Sequence, residues 1–159
     1  MTGLDKIYDR FLGKITDDMY MEDDPAGWTY EDTIKDLYNI LCDAVPMFEF
    51  PRKKLTFSEC GFEEDLTDEE INIIAVLMMN TWLQRQITSI ENTRMKYSGT
   101  DFKMTSQANH LQKLIALKTE SERQDRHIQR LYKRRKTNGD GYIESNWSIL
   151  IKNSALDGR

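Results

Sequence analysis

The segment KTNGDGYIESNW, from Lys136 to Trp147, has the spacing of a calcium-binding EF-hand loop. Such a loop takes oxygen ligands at alternate positions, a glycine at position 6 and a bidentate glutamate at position 12. Asn138, Asp140 and Gly141 stand at positions 3, 5 and 6. The first position is a lysine and the last a tryptophan, however, and neither an ammonium group nor an indole ligates a hard dication. The segment is therefore predicted to bind no calcium, and its Asn-Gly and Asp-Gly pairs favour a helix end or a chain reversal.

The other residues that could do chemistry do not form a recognisable set. Cys42 and Cys60 have neither a metal-ligand spacing nor a redox-pair spacing, and a disulfide is not expected in a reducing compartment. His110 and His127 have no nucleophile or ligand cluster near them, and there is no glycine-rich phosphate loop. The sequence therefore predicts no catalytic residue, no metal site and no cofactor, and a protein that is not an enzyme.

A basic cluster, KRRK from Lys133 to Lys136, has two interpretations. Four adjacent cations could contact phosphates, which would make the chain a regulatory module that binds nucleic acid. Cations also gather at a helix C-terminus because the helix dipole and the exposed carbonyls favour positive charge there. The chain has a formal net charge of −5 and lacks interleaved aromatic residues for base stacking around the cluster. The helix-end interpretation is favoured, and nucleic-acid binding is the alternative.

The length of 159 residues fits one domain with a core of its own. No stretch approaches the roughly 18 apolar residues of a membrane helix, and residues 1–20 lack a signal-peptide layout, so a soluble cytoplasmic product is expected. The charge is segregated, because residues 1–70 carry 7 Lys/Arg and 19 Asp/Glu whereas residues 71–159 carry 15 and 8. Opposite charges would attract in a head-to-tail assembly of identical copies. The alternative is that both regions simply face water.

Hydrophobic periodicity predicts two helices in the first part of the chain. The first begins near Leu4 and ends near Ile15. The second begins after Thr29, whose spacing to Asp32 resembles a capping box, and stops at Pro46. Residues 48–57 are expected to form a short strand or an irregular crossover.

The third helix is predicted to be the central one. Thr67 and Glu70 have the spacing of a capping box, and the helix they open is expected to run to about Glu91. Apolar residues cover most of its circumference, which is typical of a helix surrounded by others.

The fourth helix is predicted to begin near Ser106 and to continue to the turn at Asn138, because nothing between them breaks a helix. About 30 residues at 1.5 Å each give a length of roughly 45 Å. The core-facing stripe of its first half comprises Ala108, Leu111, Leu114, Ile115 and Leu117. From Lys118 to His127 there is no large apolar residue. The second half is therefore expected either to project from the bundle or to lie against another subunit.

Beyond the turn, residues 142–152 alternate in polarity, which predicts a strand with one apolar face. The apolar face consists of Ile143, Trp147, Ile149 and Ile151, with Ser145 between them. A single strand after a series of helices has no sheet of its own, and such an edge is costly unless it pairs with another chain. The alternative is an extended strap packed on the chain's own helices.

The segment LTDEEINIIAVLMMNTWLQRQITSIENTRMKYSGTDFKMTSQANHLQKLIALK, from Leu66 to Lys118, resembles the head–tail connector (adaptor) proteins of tailed bacteriophages that infect Gram-positive bacteria. The resemblance rests on an acidic-capped helix that enters a Trp-containing apolar run, on YSG-D-FK, and on SQANHL before a long charged helix. The N-terminal LDKIYDRFLGKITD is similar more loosely, and together these two segments make up about two-fifths of the 159 residues.

The resemblance implies an all-helical subunit, about twelve copies of which form a ring beneath the portal protein. Such a ring extends the DNA channel, lets the duplex pass without specific binding, and receives the next neck or tail-completion protein. It implies a location in the virion neck, with assembly in the host cytoplasm and no membrane partner. Proteins of this kind tend to contact the portal through a C-terminal helix and tail.

The residues and the resemblance together predict an all-α fold, a small helical bundle with one long projecting C-terminal helix followed by an extended strand-like tail. Residues 1–136 are expected to form the helical adaptor domain and residues 137–159 the docking tail. The expected portal-docking residues are Arg130, Lys133, Arg134, Arg135, Lys136, Ile143, Trp147, Ile149 and Ile151. The expected acidic surface, lining the channel or a subunit contact, comprises Asp17, Asp18, Glu22, Asp23 and Asp24.

Overall fold

A computed structural model of the protein describes residues 1–15, 29–96, 104–137 and 143–144. The helices are α1 (Leu4–Leu12), α2 (Tyr30–Ala44), α3 (Asp68–Lys96) and α4 (Met104–Arg134), and a 3₁₀ turn at Val45–Met47 follows α2. The strands form two antiparallel pairs, β1 (Phe57–Ser58) with β2 (Gly61–Phe62) and β3 (Lys136–Thr137) with β4 (Ile143–Glu144). The fold is therefore mainly helical, as predicted, with two small strand pairs in addition. None of the helices in these ranges combines the length and the apolar character that crossing a membrane requires.

The first two helices start where the sequence predicts. The buried face of α1 consists of Leu4, Ile7, Tyr8 and Phe11, which recur at helical spacing. Ahead of α2, the Thr29 hydroxyl accepts a hydrogen bond from the backbone N–H of Asp32, and the Asp32 carboxylate accepts one from the backbone N–H of Thr29. This reciprocal pair confirms the predicted capping box. Helix α2 ends just before Pro46, and the chain continues as the 3₁₀ turn.

Helix α3 is central, because α1, α2 and α4 all pack against it. Its predicted capping box is confirmed: the Glu70 carboxylate accepts from the backbone N–H of Thr67, and the Thr67 hydroxyl accepts from the backbone N–H of Glu70. The side chains that it buries include Ile71, Ile73, Ile74, Ala75, Leu77, Met78 and Leu83. The helix ends at Lys96, beyond the predicted end near Glu91.

The connection between α2 and α3 is irregular until β1 begins at Phe57. The rings of Phe57 and Phe62 stack with their centroids 4.9 Å apart. Thr2 exchanges two backbone hydrogen bonds with Phe62, of 3.2 and 2.9 Å, and so ties the chain start to β2. Gly61, at φ 137°, permits this approach, because an added Cβ would lie 2.5 Å from the carbonyl oxygen of Thr2.

Helix α4 packs along α3, and its second half does not project. The buried residues of that half are Ser121, Asp125, Gln129 and Tyr132. The prediction that the polar stretch from Lys118 to His127 leaves the bundle or needs another subunit to cover it is therefore wrong. The first half is the more exposed one, since Ile115 is 43% exposed and Leu117 is 54% exposed. The helix begins at Met104, ahead of the predicted cap at Ser106.

The C-terminal strand has a partner in its own chain. Thr137 lies opposite Ile143, and Lys136 lies opposite Glu144, in the antiparallel β3–β4 pair. The prediction of a strand without a sheet partner is therefore wrong for its first residues, and the chain reverses direction between Thr137 and Ile143. Residues 145–159 lie outside the described ranges, and so does the acidic segment 17–24.

Candidate functional site

The predicted docking element begins at the end of α4. Tyr132 packs this helix end against α3 and the α2–α3 connection. This side chain is 1% exposed, and its hydroxyl donates a hydrogen bond to the carboxylate of Glu70 in the first turn of α3. Its ring centroid lies 5.6 Å from that of Phe48 and 4.2 Å from the guanidinium carbon of Arg52. Burial, reinforced by the Glu70 carboxylate, raises the pKa of Tyr132. We refer to Phe48, Arg52, Glu70, Gln129 and Tyr132 as the anchor.

Arg52 also closes the end of α4. Its guanidinium donates hydrogen bonds to the backbone carbonyl oxygens of Tyr132 and Arg135. The last carbonyl oxygens of a helix accept no hydrogen bond from within the helix, and the helix dipole makes this end partly negative. Arg52, from the α2–α3 connection, therefore stabilises the C-terminus of α4. The sequence predicted this role for the basic residues of α4 itself.

A buried polar relay precedes the end of α4. The backbone N–H of Glu49 donates to Gln129 Oε1 at 2.8 Å, and Gln129 Nε2 donates to Asp125 Oδ2 at 2.8 Å. Asp125 is 6% exposed, and its Oδ1 has no hydrogen-bond partner among the described residues. Burial raises the pKa of the Asp125 carboxyl above its ordinary value; Glu49 and Glu122 add to this rise, whereas Gln129 and Arg126 oppose it.

Further polar atoms are buried without partners in the part of the chain that the structure describes. They include Asn80 Oδ1 on α3 and Ser121 Oγ on α4. Each such group costs free energy, because burial removes its hydrogen bonds to water. Within the described ranges no group of three His, Cys, Asp or Glu side chains is placed to hold a metal ion.

The basic cluster at the end of α4 is partly used inside the chain. Lys133 Nζ lies 4.1 Å from the ring centroid of Phe50, an ordinary cation–π distance. Arg135 forms an ion pair with Glu69, with an N–O distance of 2.6 Å. Two of the four predicted phosphate or portal contacts therefore have partners on the α2–α3 connection and on α3.

The other arginines of this region lie on the outer face of α4. Arg123, Arg126, Arg130 and Arg134 are all exposed, and their spacing of three or four residues places them on one face. We refer to these four as the arginine stripe. Arg123 donates two hydrogen bonds to Glu120 and lowers the pKa of that carboxyl to about 2. Arg126 also lies 4.0 Å from a carboxylate oxygen of Glu122. Two of the four cations therefore have acidic partners on α4 itself, and Arg130 and Arg134 contribute most of the positive charge that the stripe presents to a partner.

The predicted docking residues are brought together only in part. Arg130, Lys133, Arg134 and Arg135 lie within the last turns of α4 or directly after it, and Lys136 and Ile143 lie in β3 and β4. Trp147, Ile149 and Ile151 lie outside the described residues, as do Asp17, Asp18, Glu22, Asp23 and Asp24.

A groove of about 600 Å³ lies where α2, the 3₁₀ turn, α3 and α4 meet. Its lining includes Asp43, Met47, Thr81, Arg85, Lys118 and Glu122. Each cation at its edge is paired, since Arg85 contacts Asp36 at 2.9 Å and Asp43 at 3.4 Å, and Lys118 contacts Glu122. The groove is therefore electrically balanced, and Met47, 52% exposed, contributes an apolar wall.

Several of these residues carried little or no signal in the sequence. Glu70 is recognisable as a helix cap, but its second oxygen meets Tyr132, which lies 62 residues away. Arg52 gave no signal at all, because its role depends on a helix end that folds onto it. The i, i+4 spacing of Asp125 and Gln129 was the one local feature that could have indicated a buried relay.

No protein-family model, no curated protein and no solved structure matches this chain. Function is therefore inferred from the residues and surfaces of the chain itself.

Proposed function

We propose that this chain is a structural protein of a bacteriophage virion, a head–tail connector subunit that forms a ring under the portal and joins the head to the neck or tail. The observation that carries the proposal is the anchored end of α4. Because Arg52, Gln129 and Tyr132 fix this end to the α2–α3 connection, the tail that follows leaves the subunit from a rigid base. A rigid base lowers the entropic cost of docking.

The tail from residue 137 onwards docks on the portal by adding a strand to it. A two-stranded pair such as β3–β4 is marginal by itself and is stabilised by further strands. Ile143, Trp147, Ile149 and Ile151 supply the alternate side chains that enter pockets of the partner. The arginine stripe steers the approach toward an acidic surface and adds a modest share of the affinity.

The ring passes the duplex without holding it. A translocating polyanion must not bind tightly to the lining, and acidic side chains repel phosphates. Asp17, Asp18, Glu22, Asp23 and Asp24 are the residues that we assign to the channel or to the contact between subunits. The distal side of the ring receives the next neck or tail-completion protein.

Native mass spectrometry of the chain with a purified portal ring tests the proposal. The expected species is a portal ring that carries about twelve copies of the chain. Trp147→Ala should weaken this association by about 2 kcal/mol or more, because a tryptophan at the centre of an interface is a common hot spot. Ser148→Ala, on the opposite face of the predicted strand, is the matched control and should bind normally.

Deletion of residues 138–159 extends this test. The helical content of the truncated chain should be unchanged and its association with the portal lost. Portal binding at full strength by the truncated chain would refute docking through the tail. Unfolding of the truncated chain would identify the tail as an intramolecular strap, and docking would then have to occur on α4.

A regulatory module that binds nucleic acid is the second candidate, and the arginine stripe favours it. Contacts inside the chain oppose it, because Lys133 and Arg135 already have partners. The same holds for Arg123 and Arg126 of the stripe. Titration of duplex DNA at about 150 mM salt separates the two functions. Submicromolar affinity with a steep salt dependence would favour the module over the connector.

A further inference from the structure

Helix α4 ends earlier than its own sequence requires. Its last residue is Arg134, and β3 begins at Lys136. Residues 135–137 contain neither glycine nor proline, and the arginine and lysine among them favour a helix. The first residues that favour a helix end are the Asn-Gly pair at 138–139. The local sequence therefore does not explain why α4 stops at Arg134.

The hydrogen bonds at this helix end show what replaces its next turn. The backbone N–H of Arg135 donates to the carbonyl oxygens of Leu131 and Tyr132, at 3.1 and 3.2 Å. If α4 continued, the Tyr132 carbonyl would accept from the backbone N–H of Lys136, four residues further on. Its second hydrogen bond comes instead from the guanidinium of Arg52. Because a carbonyl oxygen has two lone pairs, it has none left for the next helical residue.

The same guanidinium also contacts the first residue beyond the helix. Arg52 donates to the backbone carbonyl of Arg135, which directly precedes β3. Two further contacts hold Arg52 at this place. Its guanidinium carbon lies 4.2 Å from the ring centroid of Tyr132, and the neighbouring Phe50 ring lies 4.1 Å from Nζ of Lys133. The α2–α3 connection thus holds one cation against the two carbonyls at which α4 ends and the strand begins.

We infer that Arg52 is a positioning residue that terminates α4 and so allows residues 136–137 to form β3. With its guanidinium on the carbonyls of Tyr132 and Arg135, the chain leaves the helix and pairs with β4. Without it, the helix continues through residue 137, and the β3–β4 pair is lost. The consequence for docking rests on the proposed connector function, in which the portal extends this strand pair.

Arg52→Met tests the inference, because methionine keeps an unbranched side chain but has no hydrogen-bond donor. Arg52 lies at the surface, so the variant should fold. In NMR spectra of the chain alone, the Cα chemical shifts of residues 135–137 should change from extended to helical values. The loss of an ordinary stabilising contact would not produce this change, because a frayed helix end moves toward random-coil values. Lys133→Met is the matched control: it removes the contact with Phe50, leaves both carbonyl hydrogen bonds, and should keep the extended values.

A second variant separates Arg52 from the turn that follows β3. The Asn-Gly pair at 138–139 favours a chain reversal, which could itself end the helix by drawing residues 136–137 into the strand pair. In the double variant Asn138→Ala/Gly139→Ala, Arg52 is intact, so residues 135–137 should remain non-helical. Helical shifts in this double variant would overturn the inference, and so would extended or random-coil shifts in Arg52→Met.

Portal binding distinguishes this inference from the connector function. Arg52→Met should bind the portal at least about tenfold more weakly once fewer than about a tenth of the chains keep the strand pair. If residues 135–137 become helical in this variant but no portal binds the natural chain, the role of Arg52 stands and the connector function fails. If the natural chain binds the portal but these residues stay extended in Arg52→Met, the role of Arg52 fails and the connector function stands.

Discussion

An apolar segment is usually more buried than a polar one, but the two halves of α4 show the opposite. The first half has the more apolar sequence, yet it exposes Ile115 and Leu117. The second half is rich in charge, yet it buries Asp125, Gln129 and Tyr132. Burial along this helix is therefore set by the neighbours that each half meets, and these neighbours are more extensive at the C-terminal end.

The neighbours of the second half explain how polar residues can be buried there. The backbone of Glu49 and the carboxylate of Glu70 supply hydrogen-bond partners for Gln129 and Tyr132. A buried polar group that has partners costs little, whereas one without them costs on the order of 1–3 kcal/mol. The hydropathy pattern of α4 alone does not reveal these hydrogen-bond partners, because they come from other segments of the chain.

Tyr132→Ala should have the largest effect on stability, because it removes the main contact that buries the second half of α4. The side chain is 1% exposed and contacts Phe48, Arg52 and Glu70, so its removal leaves a cavity and takes the donor away from one carboxylate oxygen of Glu70. We expect a loss of about 3–5 kcal/mol in the free energy of unfolding, measured by urea denaturation. A loss below about 1 kcal/mol would mean that the second half of α4 is not held by the anchor.

Tyr132→Phe isolates the polar part of the same contact. The ring is kept, but Glu70, itself 1% exposed, loses the hydroxyl that donates to it. The expected loss is about 1–3 kcal/mol. A double-mutant cycle with Glu70→Ala should give a coupling energy on the order of 1 kcal/mol, and purely additive effects would contradict the hydrogen bond.

Asp125→Asn should stabilise the protein at neutral pH, by on the order of 1 kcal/mol. The pKa of Asp125 is raised in the folded state, so the folded chain binds a proton more readily than the unfolded one. The ionised carboxylate therefore lowers the free energy of unfolding. This loss begins near the ordinary aspartate pKa and grows until the pH has passed the raised pKa of Asp125. Asparagine keeps an oxygen that can accept from Gln129 and has no proton to lose.

Urea midpoints across this pH window check the prediction. The natural chain should lose stability as the pH rises through it, and this component of the pH dependence should be absent from Asp125→Asn. A variant that is less stable than the natural chain at neutral pH would show that the carboxylate is needed in its charged form.

Leu117→Ala should have the smallest effect, below about 0.5 kcal/mol for the monomer, because more than half of its surface is already in water. Leu111→Ala is the matched comparison in the same half of the helix. Leu111 is 7% exposed, and its truncation should cost about 2 kcal/mol or more. The free energy of unfolding of both variants is measured by urea denaturation of dilute protein. Equal decreases in the two variants would contradict the assignment of Leu111 to the inner face and Leu117 to the outer face of α4.

The starts of three helices could be predicted from local residue patterns. The capping boxes at Thr29 and Thr67 involve residues three positions apart, so the chain needs no tertiary contact to form them. The central position of α3 was likewise predictable, because apolar residues around most of its circumference can be buried only if other elements surround it. The apolar spacing of α1 predicted its start and buried face.

The buried part of α4 and the position of its last residues depend on contacts between segments that are distant in the chain. The hydrogen bond from Glu49 to Gln129 spans 80 residues, and so does the one from Arg52 to the carbonyl of Tyr132. No local pattern encodes a partner at that distance. The polar half of α4 therefore looked like a projecting helix, although it packs against the core, because its hydrogen-bond partners come together only when α3 and the α2–α3 connection fold around it.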